Sequence, residues 1–205
     1  IKDSDGDFST TTITINVTGL SEGGPGVTIP NDGTGVGGSD ISVAEDLTVN
    51  GTFTVSAPDG LTSVTLGGTV MTAAALAAAT PGTPISITGT NGVLTVTGFT
   101  ASGTTGGTIA YTYNPTGTST SHPLAGNVID NFSVVVTDPQ GDTSAAAALN
   151  ILITDTVPVA NADTRTTTED ASAGAGITGN VVTGVSATAD TLGADATTTV
   201  TGVSL

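Results

Sequence analysis

A short acidic turn followed by an alternating apolar strand occurs twice in this chain, and that recurrence constrains the fold more than any other feature. Asp3-Ser4-Asp5-Gly6-Asp7 precedes Thr12-Ile13-Thr14-Ile15-Asn16-Val17, and Asp138-Pro139-Gln140-Gly141-Asp142 precedes Ala148-Leu149-Asn150-Ile151-Leu152-Ile153. Asp3 and Asp138 are 135 positions apart; Ile13, Ile15 and Val17 stand 136 before Leu149, Ile151 and Ile153, so the second copy carries one inserted residue. Downstream, Val43-Ala44-Glu45-Asp46 resembles Thr167-Thr168-Glu169-Asp170, and Asp59 with Val64-Thr65 resembles Asp195 with Val200-Thr201, again 136 apart. A fixed internal period marks an array of supersecondary units. The chain therefore reads as a slice through a tandem array. Residues 1–20 are the C-terminal strand of a preceding repeat, 21–40 a Gly-rich linker, 41–156 a complete repeat and 157–205 the N-terminal part of the next. On this reading neither end is a natural terminus.

Within the complete repeat, Thr, Val and Ile alternate with period two, the signature of half-buried strands. Strands are expected at residues 41–44, 47–57, 61–71, 84–88, 93–99, 107–113, 131–137 and 144–154. Asn91-Gly92 between two such runs predicts a hairpin, because both residues tolerate positive φ. Asn50-Gly51 reads either as a similar turn or as a bulge inside one strand. A short helix is expected over 72–79, presenting Met71 and Leu76 and stopped by Pro81-Gly82. Short strands with turn signals about every ten residues predict an all-β fold of β-sandwich repeats in tandem. The large core anchors are Phe53, Phe99, Phe132, Tyr111 and Tyr113.

Charge sorts the function classes. The chain has 2 Lys+Arg against 18 Asp+Glu, a net charge of −16. That excludes the phosphate neutralisation a nucleic-acid binder needs, and attraction to anionic membrane surfaces. No apolar run approaches the ~18 residues of a spanning helix. Without Cys, no disulfide can staple the fold, and Lys2, the sole lysine, lies outside the complete repeat, which removes a Lys–Asn isopeptide staple. Charged residues are only 10% of the chain, so this is no disordered acidic tail. The remaining staple is a metal.

The acids gather at strand ends and tight turns, where carboxylates and backbone carbonyls suit Ca²⁺ with its 6–8 oxygen ligands. The candidate ligands are Asp3, Asp5, Asp7, Glu45, Asp46, Asp59, Asp130, Asp138, Asp142, Asp155, Asp163 and Asp195. The Asp59 and Asp138–Asp142 turns are expected at one end of the sandwich. Glu45, Asp46, Asp130 and Asp155 are expected at the other, where the linker carrying Asp163 leaves and Asp195 faces back. Asp3–Asp7 is not an EF-hand, since Gly6 is misplaced and Thr14 stands where Glu is needed.

These motifs together resemble the tandem repeats of giant type I secreted bacterial adhesins, the RTX-adhesin group with Ig-like, cadherin-like and VCBS-type domains. The resemblance is carried by Gly107-Thr108-Ile109-Ala110-Tyr111-Thr112-Tyr113, His122-Pro123, the run from Asp130 through Asp138, Gly141-Asp142 and Ile153-Thr154-Asp155-Thr156-Val157-Pro158. The start of the next unit adds Asn161-Ala162-Asp163, Glu169-Asp170, Gly179-Asn180-Val181 and Asp190 through Asp195. Gln140 departs from the acidic residue usual in that turn. The resemblance implies a calcium-stiffened extracellular stalk at the cell surface, supporting adhesion and biofilm formation, whose partners are neighbouring repeats of the same chain.

Two other classes remain open. One is a subunit of an extracellular filament or surface layer, in which 13–17 adds as a strand to another copy. The other is a calcium-dependent glycan-binding module, disfavoured by the poverty of aromatic rings for stacking. An enzyme is not expected: one His, His122, and no Cys leave no nucleophile–base constellation.

Overall fold

The computed structural model describes residues 1–16, 23–31, 33–35, 38–116, 128–164, 166, 180, 182–184 and 188–194. Among these residues, ten strands and one short helix follow in the order β1 (Gly26–Thr28), β2 (Ile41–Ala44), β3 (Val49–Ser56), β4 (Ser63–Leu66), β5 (Thr69–Thr72), α1 (Ala73–Ala78), β6 (Ile85–Thr88), β7 (Gly92–Ala101), β8 (Gly106–Pro115), β9 (Val128–Thr137) and β10 (Ala147–Thr154). They form two five-stranded sheets, β1-β3-β8-β7-β6 and β2-β10-β9-β4-β5. Pairing is antiparallel except between β2 and β10, which run parallel with Ile151 opposite Ile41.

The alternation read from the sequence sets the core. Phe53 and Val55 of β3, Ile109, Tyr111 and Tyr113 of β8, and Leu94 and Val96 of β7 point inward from one sheet. Val64 and Leu66 of β4, Phe132, Val134 and Val136 of β9, and Leu149, Ile151 and Ile153 of β10 meet them from the other, forming one apolar cluster. The rings pack as pairs: Tyr113 meets Phe132 edge-on at 6.0 Å, and Phe53 meets Tyr111 at 6.1 Å. Such contacts add to area burial. Phe99 is only half-buried and serves the margin of the core.

α1 forms as expected: Thr72 caps it by accepting from the Ala75 N–H at 3.1 Å, and Leu76 fills the core beneath. The run 61–71 is not one strand but the hairpin β4–β5. Gly67 and Gly68 both take positive φ, 55° and 83°, the requirement of a tight two-residue turn. The Asn91-Gly92 hairpin is present as β6–β7, with Thr88 opposite Val93. Neither residue takes positive φ there; Gly92 is needed because a Cβ would lie 2.4 Å from the Tyr113 ring. Asn50-Gly51 is neither turn nor bulge. It lies in β3 in unbroken register with β8, and a Cβ on Gly51 would sit 2.3 Å from Tyr111. The register shift of this sheet falls in β7, between Val96 and Gly98.

Two further sequence expectations differ from the structure locally. The segment 21–40, read as a linker, contributes β1, which pairs with β3, and Ile29, which enters the core. The strand expected over 12–17 is not formed among residues 12–16, and Val17 lies outside the described residues. Ile13 and Ile15 are 80% and 78% exposed. The equivalent β10 is held by β9 and β2, and no counterparts of those two strands flank residues 12–16 among the described residues.

Replacing Gly51 with Ala should destabilise the fold by about 1–3 kcal/mol through overpacking against Tyr111. Gly98→Ala, whose nearest neighbour would be Ala110 Cβ at 4.0 Å, should leave the melting temperature nearly unchanged. Equal thermal melts for the two variants would contradict this packing.

Candidate metal centre

The repeated acidic motif builds the same turn in both places. In the first copy the Asp3 N–H donates to the Asp7 carbonyl at 2.9 Å, the Asp7 N–H returns to Asp3 Oδ1 at 2.9 Å, and the Ser9 N–H closes onto the Ile1 carbonyl at 2.9 Å. In the second, Asp138 N–H to the Asp142 carbonyl is 3.1 Å, Asp142 N–H to Asp138 Oδ1 is 2.8 Å, and Ser144 N–H to the Val136 carbonyl is 2.9 Å. Gly6 and Gly141 occupy the same left-handed position, φ 104° and 89°. Lys2–Phe8 and Thr137–Thr143 are the matching bridges that flank the two turns.

The side chains diverge. In the first turn, oxygens of Asp3, Asp5 and Asp7 come within 4.8 Å of one another on an exposed surface. The Asp3 carboxyl is held below its ordinary range, first by a hydrogen bond with the Asp5 side chain and then by the backbone N–H groups of Asp7, Gly6 and Asp5, with desolvation opposing. Three exposed acidic side chains this close together could hold a hard divalent cation. In the second turn, Gln140 replaces the middle acid. Asp138 is buried, its Oδ1 accepts from Gln140 and Asp142 N–H groups, and its buried Oδ2 has no hydrogen-bond partner among the described residues. Asp142 is exposed.

The other candidates do not converge on one centre. Asp59 lies where expected, its turn meeting the Asp138 turn: a Cβ on Gly60 would be 3.5 Å from Pro139 Cγ. Glu45 and Asp155 mark the opposite end, where β2 and β10 finish together; Asp46 there is exposed. Glu45 is buried, and its Oε1 accepts from the Thr156 N–H at 3.0 Å and the Thr156 hydroxyl at 2.7 Å. Asp163 Oδ1 accepts from the Thr188 N–H at 2.6 Å, while its buried Oδ2 has no partner among the described residues. Asp195, with Glu169, Asp170 and His122, lies outside the described residues.

Asp130 is at the expected end but turned inward. Its Oδ1 accepts from the Thr90 N–H at 3.0 Å, and its Oδ2 from the Asn91 N–H at 3.1 Å and the Tyr113 hydroxyl at 2.8 Å. Three donors satisfy it, so its role in this structure is to hold the β6–β7 turn and to tie β9 to β8 across the core. Asp40 was not a sequence candidate, yet it does a similar task. Its Oδ1 accepts from the Gly33 N–H at 2.7 Å and its Oδ2 from the Asn150 N–H at 2.6 Å. No spacing in the sequence reveals a partner 110 residues away.

Comparison with family models, with characterised proteins and with solved structures gives no match for this chain. Among the described residues, no helix is long and apolar enough to cross a membrane.

The buried tyrosines set the alkaline limit. Burial, then the charge of Asp40, pushes the Tyr111 hydroxyl up to about 12; burial, then the Asp130 carboxylate, pushes Tyr113 higher still. Their folded values lie above the unfolded ~10. The stability they confer is therefore complete below about pH 10 and is lost as pH rises through the folded values. Melting temperatures should fall above pH 10 in the natural chain and fall less in a Tyr111→Phe/Tyr113→Phe variant. Tyr113→Phe alone should cost about 1–3 kcal/mol at neutral pH, since it deprives a buried carboxylate of a donor; a denaturation midpoint equal to that of the natural chain would refute the Asp130 tie.

Proposed function

We propose that this chain is an extender segment of a secreted bacterial cell-surface adhesin, built from Ig-like, cadherin-like β-sandwich repeats and stiffened by calcium. The observation that carries the reading is the acidic turn formed twice, 135 residues apart, with the same two backbone–backbone closures, the same backbone-to-carboxylate bond and the same left-handed glycine. One sequence motif giving one geometry at both positions is what a tandem array requires. The resemblance of the motifs to RTX-adhesin repeats supplies the biological setting: an extracellular stalk that carries an adhesive domain away from the cell and supports biofilm formation.

Asp3, Asp5 and Asp7 are the residues that would hold the ion, with backbone carbonyls of the turn completing the shell. Bound calcium would supply charge neutralisation for three crowded carboxylates in a chain of net charge −16. The buried Oδ2 of Asp138 offers a further oxygen in the equivalent turn. A second reading, strand addition between copies in a filament, is favoured by the exposed alternating Ile13 and Ile15.

Chelation should lower the melting temperature and shorten the maximum particle dimension in solution scattering. A triple Asp3→Asn/Asp5→Asn/Asp7→Asn variant should lose part of the calcium response. Indifference to chelator in both measurements would sink the calcium-stiffened reading, and fibres that grow with concentration and vanish when residues 1–20 are removed would favour the filament.

A further inference from the structure

We infer that Thr156 is the positioning residue of a metal-independent latch that sets the angle between the sandwich and the segment following it. Its hydroxyl stands between the two. As donor it bonds Glu45 Oε1 at 2.7 Å, and Glu45 is a buried side chain at the end of β2. As acceptor it takes the Ala194 N–H at 3.0 Å. The Thr156 N–H also donates to Glu45 Oε1, at 3.0 Å, so the hydroxyl is oriented by the sandwich before the incoming segment reaches it.

Independent contacts place that segment. Val159 and Thr191 exchange both backbone hydrogen bonds, at 2.8 and 2.9 Å. Asn161 donates its N–H to Asp190 Oδ1 at 2.8 Å and its side-chain amide to the Ala189 carbonyl at 2.6 Å, and the Thr188 N–H donates to Asp163 Oδ1 at 2.6 Å. Gly193 lies so close to the strap that a Cβ would be 2.4 Å from the Thr156 carbonyl oxygen and 3.3 Å from Pro158 Cδ. Residues 188–194 thus clasp residues 156–163, and the Thr156 hydroxyl bonds both Ala194 of the clasp and Glu45 of the sandwich. The latch deepens the spacer reading, on which it rests for the identity of residues 157–205 as the next repeat. It assigns part of the joint's stiffness to protein hydrogen bonds.

The chain has no cysteine, so spin labels at Ser133→Cys and Thr164→Cys would be its sole thiol labels. Both sites are exposed. In the full chain with calcium, the distance distribution between the labels should be narrow. Thr156→Val should broaden it and speed amide exchange at Ala194 by roughly 10-fold, the loss expected for one hydrogen bond. Thr156→Ser should restore both. Gly193→Ala, outside the sandwich, should broaden the distribution without lowering the sandwich's melting temperature, which separates the latch from a folding defect. Distributions for Thr156→Val and Gly193→Ala that match the unsubstituted chain overturn the latch. If chelator alone produces the full broadening and Thr156→Val adds none, the latch falls while the calcium-stiffened spacer stands. If Thr156→Val broadens the distribution and chelator does nothing, the latch stands and the calcium reading falls.

Discussion

Asp130 sits in the second sheet with its carboxylate bonded to the Tyr113 hydroxyl of the first and to two backbone N–H groups of the β6–β7 turn. A buried charge is costly unless donors surround it, and here three do. The consequences spread outward. Tyr113 is fixed over Gly92 and edge-on to Phe132, Gly89 must remain free of a Cβ to admit the carboxylate, and the two sheets acquire a polar tie across an apolar core. With aromatic residues only 3% of the chain, the core is built mostly from Val, Ile and Leu, whose non-directional packing leaves much of the specification to such ties.

The same device recurs where loops join sheets. Asp40 fastens the segment before β2 to β10, Asp138 closes the turn after β9, and Glu45 receives Thr156 as the chain leaves β10. Asp40, Glu45, Asp130 and Asp138 thus each accept backbone N–H groups within the fold. In the exposed Asp3–Asp5–Asp7 group, Asp3 again accepts a backbone N–H, and the three side chains stand close enough together that they could hold a metal ion.

The two similar segments have different outcomes. Around Asp3 and Asp138 the local turn is the same, because Asp side-chain capping and a left-handed glycine act within a few residues. Beyond the turns the copies part. Residues 147–154 are a central strand with neighbours on both sides, whereas residues 12–16, with the same alternation, stand exposed. Alternation creates an apolar face; partner strands decide whether that face is buried.

The sequence by itself determined the all-β class, the positions of most strands, the capped helix at Thr72 and the duplicated turn, since each rests on period-two patterning or on contacts within a few residues. It also placed the Asp59 and Asp138 turns at a shared end, because loops between the strands of two packed sheets gather at the two ends of the stack. Tertiary structure alone decided which acids face water and which are buried. Asp130 and Asp142 are both ordinary turn or strand-end acids on paper; one lies under Tyr113 and the other is exposed, a difference set by side-chain direction across a two-sheet stack. The glycines of Asn50-Gly51 and Asn91-Gly92 likewise look like turn formers in sequence, and only the packed tyrosine rings reveal that they are there to leave room. Long-range partners such as Asp40 with Asn150, or Glu45 with Thr156, leave no local pattern because the chain meets itself there only after the sheets have closed.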